Sequence, residues 1–393
     1  MIMSKKRFLL CLLLAILASC GGGTPTSTDS LTPVSSPETV DYFEQYQAAS
    51  KKTAASDNVG VSMSKGRFYF SFDGKDSSSV VQSGVKKIDF NPLNLNLKAG
   101  NIHATDPKQV ALSFGLESDA KAVTRITATG FAAALDAFGR SATFAPRGYL
   151  EQGTFYGDMS NASFLWMALN LAGRSILEDQ SFTIPEKGKA TLRDEDLEKV
   201  KEYLPIDSYL TDFIDQRVKG MKEDYAEHPN SYAFVPGNGT TKISYTAPSF
   251  SDLLDSVIGK AKEAETSSSI DMGPIEEFAD KIRNAVTLNK GVVDYVYGDA
   301  GLVSTSYEIK MTFDEAKIKE AFADADTYPC DEFYFKGTFN YSQGEDAKPA
   351  TISSAKKGDY SEYDYDAMKQ IIDKIRNNGQ NSDSAVDSTS QNS

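Results

Sequence analysis

The chain has 393 residues, with 41 Lys or Arg against 55 Asp or Glu and a formal net charge of -14. So acidic a body excludes a surface built for nucleic acid or for an anionic bilayer face, because both need clustered cations. Lys86-Lys87 and Lys356-Lys357 are only doublets. Two histidines, His103 and His228, leave little material for a histidine-based triad or a zinc site, and neither sits in a recognisable motif.

The first twenty residues carry the strongest signal. Lys5, Lys6 and Arg7 form a positive segment, the apolar run from Phe8 to Leu17 is too short for a membrane span, and the small residues Ala18 and Ser19 follow. The run Leu17-Ala18-Ser19-Cys20, followed at once by Gly21-Gly22-Gly23, resembles the lipobox of bacterial lipoproteins. The same run also reads as an ordinary signal peptide that contains a cysteine. The lipoprotein resemblance implies cleavage after Ser19 and a diacylglyceryl group on the Cys20 sulfur. The protein would then be anchored to the cell membrane or outer membrane and face away from the cytoplasm. Two acyl chains at about 0.8 kcal/mol per buried methylene suffice for stable anchoring, so the expected state is anchored and not spanning. Cys20→Ser is expected to move the protein from the membrane fraction to the soluble fraction and to abolish labelling by radioactive palmitate. A variant that stays in the membrane, with no palmitate on the parent, would refute the anchor.

Loss of residues 1–19 removes three positive charges and no negative ones, taking the net charge from -14 to -17. It also removes Cys11, and with Cys20 lipidated only Cys330 remains, so no internal disulfide is possible. Asp331 and Glu332 beside Cys330 raise a thiol pKa, which makes a small packing residue the better reading than a nucleophile. The Gly, Ser, Thr and Pro composition of residues 20–39 reads as a flexible tether, residues 40–376 as an α+β domain, and residues 377–393 as a polar tail.

Within that domain the spacing of Phe43, Tyr46 and Ala49 predicts a helix over 41–55. Strands follow at 59–63, 67–72, 93–97, 110–116 and 123–129, where β-branched and aromatic residues alternate or cluster between Gly, Asp and Asn breaks. Residues 149–156 predict a hairpin turning at Gln152-Gly153. The stretch from Phe164 to Leu177 is apolar on nearly every side, and is expected to be a helix buried all round. Amphipathic helices are expected over 190–226 and 249–287, making 180–290 a mainly helical block. Strands return at 291–297, 302–313 and 333–341, and a last helix at 364–376. The fold class this order implies is a curved antiparallel sheet packed on helices, with the helical block between two groups of strands.

The hairpin residues Tyr149, Gly153, Tyr156, Asp158 and Ser160 resemble a hairpin of bacterial lipoproteins of the LolA and LppX/LprG type. That resemblance implies a curved sheet wrapped on helices and a cavity that carries lipid or lipoprotein. The chain departs from those families in its length and in its helical block.

Other chemistry finds no support. Ser56-Asp57-Asn58 precedes every Ser-x-x-Lys and no Lys-Thr-Gly exists, so the pattern of penicillin-recognising enzymes is not met. Asp324-Ala325-Asp326 opens like a calcium loop, but Pro329 and Phe335 occupy its glycine and glutamate positions. No cofactor, metal or catalytic residue is assigned. The expected function is an extracytoplasmic binding or carrier module for an apolar ligand such as a lipid, held between the strands near Phe68 and Phe70 and the helix bearing Phe164, Trp166 and Met167. Two alternatives stay open: a structural or protein-interaction lipoprotein of the cell envelope, and a cell-envelope enzyme.

Overall fold

The computed structural model describes residues 41–71, 85–124, 141–202, 204–252, 254–255, 258, 273–321 and 331–380. Cys20, the tether, Cys330 and the end of the tail lie outside them, as does part of the strand expected at 123–129. Helix α1 (Tyr42–Ala54) starts where the Asp41 carboxylate accepts the Glu44 N–H at 2.9 Å, and it ends with Lys51 and Lys52 in its last turn. Both ends therefore complement the helix dipole. Phe43, Tyr46, Ala49 and Ala54 are buried beneath it.

Thirteen strands form one sheet, and the chain enters it near the middle. The strands are β1 (Asn58–Ser71), β2 (Val85–Gly100), β3 (Ala111–Thr124), β4 (Ser141–Phe144), β5 (Arg147–Glu151), β6 (Thr154–Asp158), β7 (Lys187–Thr191), β8 (Tyr232–Pro236), β9 (Thr240–Thr246), β10 (Val286–Gly298), β11 (Gly301–Phe313), β12 (Glu332–Gln343) and β13 (Ser361–Glu362). Their order across the sheet is β13-β7-β6-β5-β3-β2-β1-β12-β11-β10-β9-β8, with β4 also paired to β3. Every pairing is antiparallel except that of the two-residue β13 with β7. Among the described helices are α2 (Ser163–Leu177), α3 (Asp194–Lys201), α4 (Ile206–Glu227), α5 (Gly273–Arg283), α6 (Glu315–Ala321), α7 (Ser354–Lys357) and α8 (Tyr365–Gln380). The class is α+β with a curved, largely antiparallel sheet, as the order of sequence elements implies.

Alternation fixes the two faces. On β11 every second residue from Thr305 through Tyr307, Ile309 and Met311 to Phe313 is buried, while Ser304, Ser306, Glu308 and Lys310 between them stay half-exposed. This two-residue period is that of a strand with one dry face. The dry face carries α1 and α4, which enclose Phe43, Tyr46, Val218, Met221, Ile243, Val293 and Tyr295.

The other face holds a band of charge. Arg67 meets Asp89 at 2.7 Å and Lys87 meets it at 3.3 Å, Lys310 meets Glu332 at 2.8 Å, and Glu308 accepts from Lys290 at 2.9 Å and Lys336 at 3.4 Å. Burial works to raise the carboxyl groups of Asp89, Glu308 and Glu332, but their cationic partners outweigh it and hold all three below their ordinary values of 3.8, 4.5 and 4.5. Depressed folded-state values give stability that is full above the ordinary carboxylate range and lost as the pH falls through the lower, folded values. The urea midpoint of the protein is thus expected to fall between pH 5 and pH 3, and Asp89→Asn is expected to flatten part of that slope. A midpoint unchanged over this range would contradict the coupling.

Two sequence expectations differ from the structure. The interval 180–290 holds α3, α4 and α5 but also β7, β8 and β9. The Ser, Thr and Lys residues spaced through 240–246 dilute the strand signal of β9. Helix α2 is not buried all round: Trp166 is half-buried, with its indole N–H donating to the Ile184 carbonyl at 2.6 Å, while Met167, Leu169 and Leu171 are exposed. The side bearing Asn170 and Gly173 is covered, with Phe182 lying on Gly173. An apolar circumference shows what a helix can bury, whereas its position in the sheet decides how much is buried.

Candidate functional site

The predicted cavity residues fall into two places. Phe68 and Phe70 stand on β1 with ring centroids 4.7 Å apart, and both pack on Phe333, with Phe90 beside Phe68. Trp166 and Met167 stand on α2, where Trp166 is tied to Ile184 and Met167 is exposed. Phe164 lies on the same helix, with its side chain outside the described ones.

The register points instead to a different set on the dry face. Residues directly opposite on neighbouring strands share a face, and such pairs run from Ile243 through Tyr295, Thr305, Phe339, Met63 and Leu95 to Leu116. Burial along this row declines. Ile243, Tyr295, Thr305 and Met63 are buried, Phe339 between them is half-buried, and Leu95 and Leu116 beyond Met63 are both half-buried. The parallel row from Tyr341 runs through Val61 and Leu97 to Phe114, and there Leu97 is 44% exposed and Phe114 38% exposed. Together with Leu93 and Leu112, these side chains form an apolar trough floor on β2 and β3. It continues the covered core, and among the described residues Leu97 and Phe114 on it stay exposed.

Beyond Phe114 the same row is Gly148, Gly157 and Gly188. These glycines have neighbours where a Cβ would stand: the Phe114 ring over Gly148, and Tyr363 over both Gly157 and Gly188. The trough is therefore closed on this side by Tyr363, which the C-terminal segment carries in beside β7, its N–H donating to the Lys189 carbonyl at 2.8 Å.

Helix α4 starts at the end of β2. Its first residue, Ile206, donates its N–H to the Ile102 carbonyl at 3.0 Å, just past the end of β2. Asp215 and Lys222 face α1, pairing with Lys51 at 2.6 Å and Asp41 at 3.1 Å, while Val218 and Met221 enter the core. At 3.6 residues per turn, Tyr209 and Phe213 then fall on the flank turned away from α1. They are 51% and 59% exposed. Arg217, one turn further on, is half-buried, with its guanidinium 5.0 Å from the Tyr295 ring centroid.

A second depression is polar. A cleft of about 640 Å³ at the end of β2 is lined by His103, Lys108, Glu151 and Lys357 among others. Its Glu151 already accepts from Lys357 at 2.6 Å and from the Ile352 N–H at 2.6 Å, so the charges of the cleft are largely matched internally. At the end of α4, Asp224 accepts from the Tyr232 hydroxyl at 2.8 Å and lies 3.4 Å from His228 Nδ1. This arrangement ties the helix terminus to β8. Among the described residues no group of three or more His, Cys, Asp or Glu is placed to hold a metal ion, and no helix is long and apolar enough to cross a membrane. No protein family model, curated protein or solved structure matches the chain.

Proposed function

We propose that this protein is an extracytoplasmic lipoprotein, anchored through Cys20, whose trough on β2 and β3 binds an apolar ligand of the lipid type. The observation that carries the reading is the pair Leu97 and Phe114, which are register partners and large, and which stay exposed on the face that elsewhere forms the core. Apolar side chains gathered on a floor between a covered core, a capping tyrosine and a helix flank gain about 25 cal/mol for each Å² that a ligand removes from water. The helices within 180–290 serve in this reading as the partial cover of the trough, with α4 as its wall. Binding and carriage of such a ligand agree with what the hairpin resemblance implies.

The competing reading is an envelope protein that works by contact with other proteins, and it draws on the exposed Met167, Leu169 and Leu171 of α2. Titration with a neutral pyrene-labelled hydrocarbon separates the two. Saturable binding at one site per chain, displaced by hexadecanol, is the expected result. Linear, non-saturable partitioning would favour the interaction reading.

A further inference from the structure

This inference rests on the trough reading and names the class of ligand. Tyr209, Phe213 and Arg217 follow one another at four-residue spacing, so they form a single stripe along α4: two exposed aromatic rings leading to a half-buried cation. The surroundings of that cation are unusual. In a chain with 55 acidic residues against 41 basic ones, Arg217 has no carboxylate at ion-pair distance among the described residues, and its guanidinium lies over the Tyr295 ring. Its neighbours on the same helix differ, since Lys219 pairs with Glu223 and Lys222 with Asp41. A ring face offsets only part of the cost of taking a guanidinium out of water. A local rule broken in this way, without a compensating partner, is what a functional position leaves in a fold.

We propose that Arg217 is the headgroup site of the trough and binds the carboxylate of a long-chain fatty acid, whose acyl chain runs past Phe213 and Tyr209 over Leu95, Leu97 and Phe114. The dimensions suit such a chain. Tyr307 on β11 and Phe114 on β3 are four strand steps apart, roughly 19 Å at about 4.8 Å per step. Along α4, the eleven residues from Arg217 back to Ile206 rise about 16 Å toward the end of β2. A carboxylate fits better than a phosphate. The planar guanidinium matches a carboxylate with two parallel hydrogen bonds, and its single charge balances one negative charge. A phosphomonoester carries about two, and Lys51, which reaches α4 from α1, is already engaged by Asp215.

The test compares palmitate, hexadecanol and hexadecyl phosphate as displacers of the neutral pyrene-labelled hydrocarbon from the purified full chain. Palmitate is expected to bind about tenfold or more tightly than hexadecanol, the increment of a charge-assisted hydrogen bond. Arg217→Met should erase that difference. Should Arg217→Met fail to fold, Arg217→Lys, which keeps the charge but loses the fork, should reduce the palmitate preference. Equal affinity of palmitate and hexadecanol, or a preference that survives removal of the guanidinium, would overturn the headgroup assignment while leaving the trough intact. A preference for hexadecyl phosphate over palmitate would overturn the carboxylate. Binding of none of the three would overturn the trough itself.

Discussion

Phe43→Ala is expected to lower the stability of the protein by about 3–5 kcal/mol, the cost of truncating a buried aromatic ring whose site cannot collapse. Phe43 is buried in α1 and meets three rings from two other elements: Tyr225 of α4 at 5.6 Å, and Tyr232 and Phe234 of β8 at 5.6 and 5.4 Å, the β8 contacts edge-to-face. Its removal would leave β8, an edge strand of the sheet, and the C-terminal half of α4 without their shared anchor. Urea denaturation of the variant and the parent checks the magnitude. A loss under about 1 kcal/mol would mean that the cluster repacks, in conflict with the packing seen around the ring.

Leu97→Asn is expected to do the reverse, with little effect on folding and a large one on ligand binding. Because Leu97 is already 44% exposed, only a little over half of its burial energy is at stake in the fold, roughly 1–2 kcal/mol. In the occupied trough the amide would be covered by hydrocarbon without a hydrogen-bond partner, at about 1–3 kcal/mol in addition to the lost contact, so affinity should fall about 30-fold or more. Asn96→Ser, one residue away but pointing to the opposite face, is the control and should leave affinity unchanged. Equal affinities for Leu97→Asn and the parent would remove β2 from the site.

The sequence made the strand bearing Leu97 plain, because Leu93-Asn94-Leu95-Asn96-Leu97 alternates without a fault. It also showed that one face of that strand is apolar. It could not show that the face lies uncovered, since cover depends on where α4 lands, and α4 is fixed by Ile206 meeting Ile102 and Lys222 meeting Asp41, both far apart in the chain. The hairpin at Gln152-Gly153 was equally legible, and both residues take the left-handed conformation such a turn needs, with φ of 50° and 72°. Helix α2 shows the opposite case. Its apolar circumference suggested complete burial, yet Leu169 and Leu171 face outward because the helix packs through one side only. Arg217 was invisible for a similar reason. One arginine in an amphipathic helix reads as a solvated surface residue until the register of the strands beneath places Tyr295 and Tyr307 around it.

Native mass spectrometry of the full-length protein, purified from membranes in a non-lipid detergent, puts the trough to its most direct test. The expected spectrum shows, beside the covalently lipidated chain, a second species heavier by the mass of one bound fatty acid or similar lipid, lost on collisional activation and absent from Leu97→Asn. A single species at the mass of the lipidated chain alone, unchanged after incubation with palmitate or hexadecanol, would contradict the trough as a ligand site.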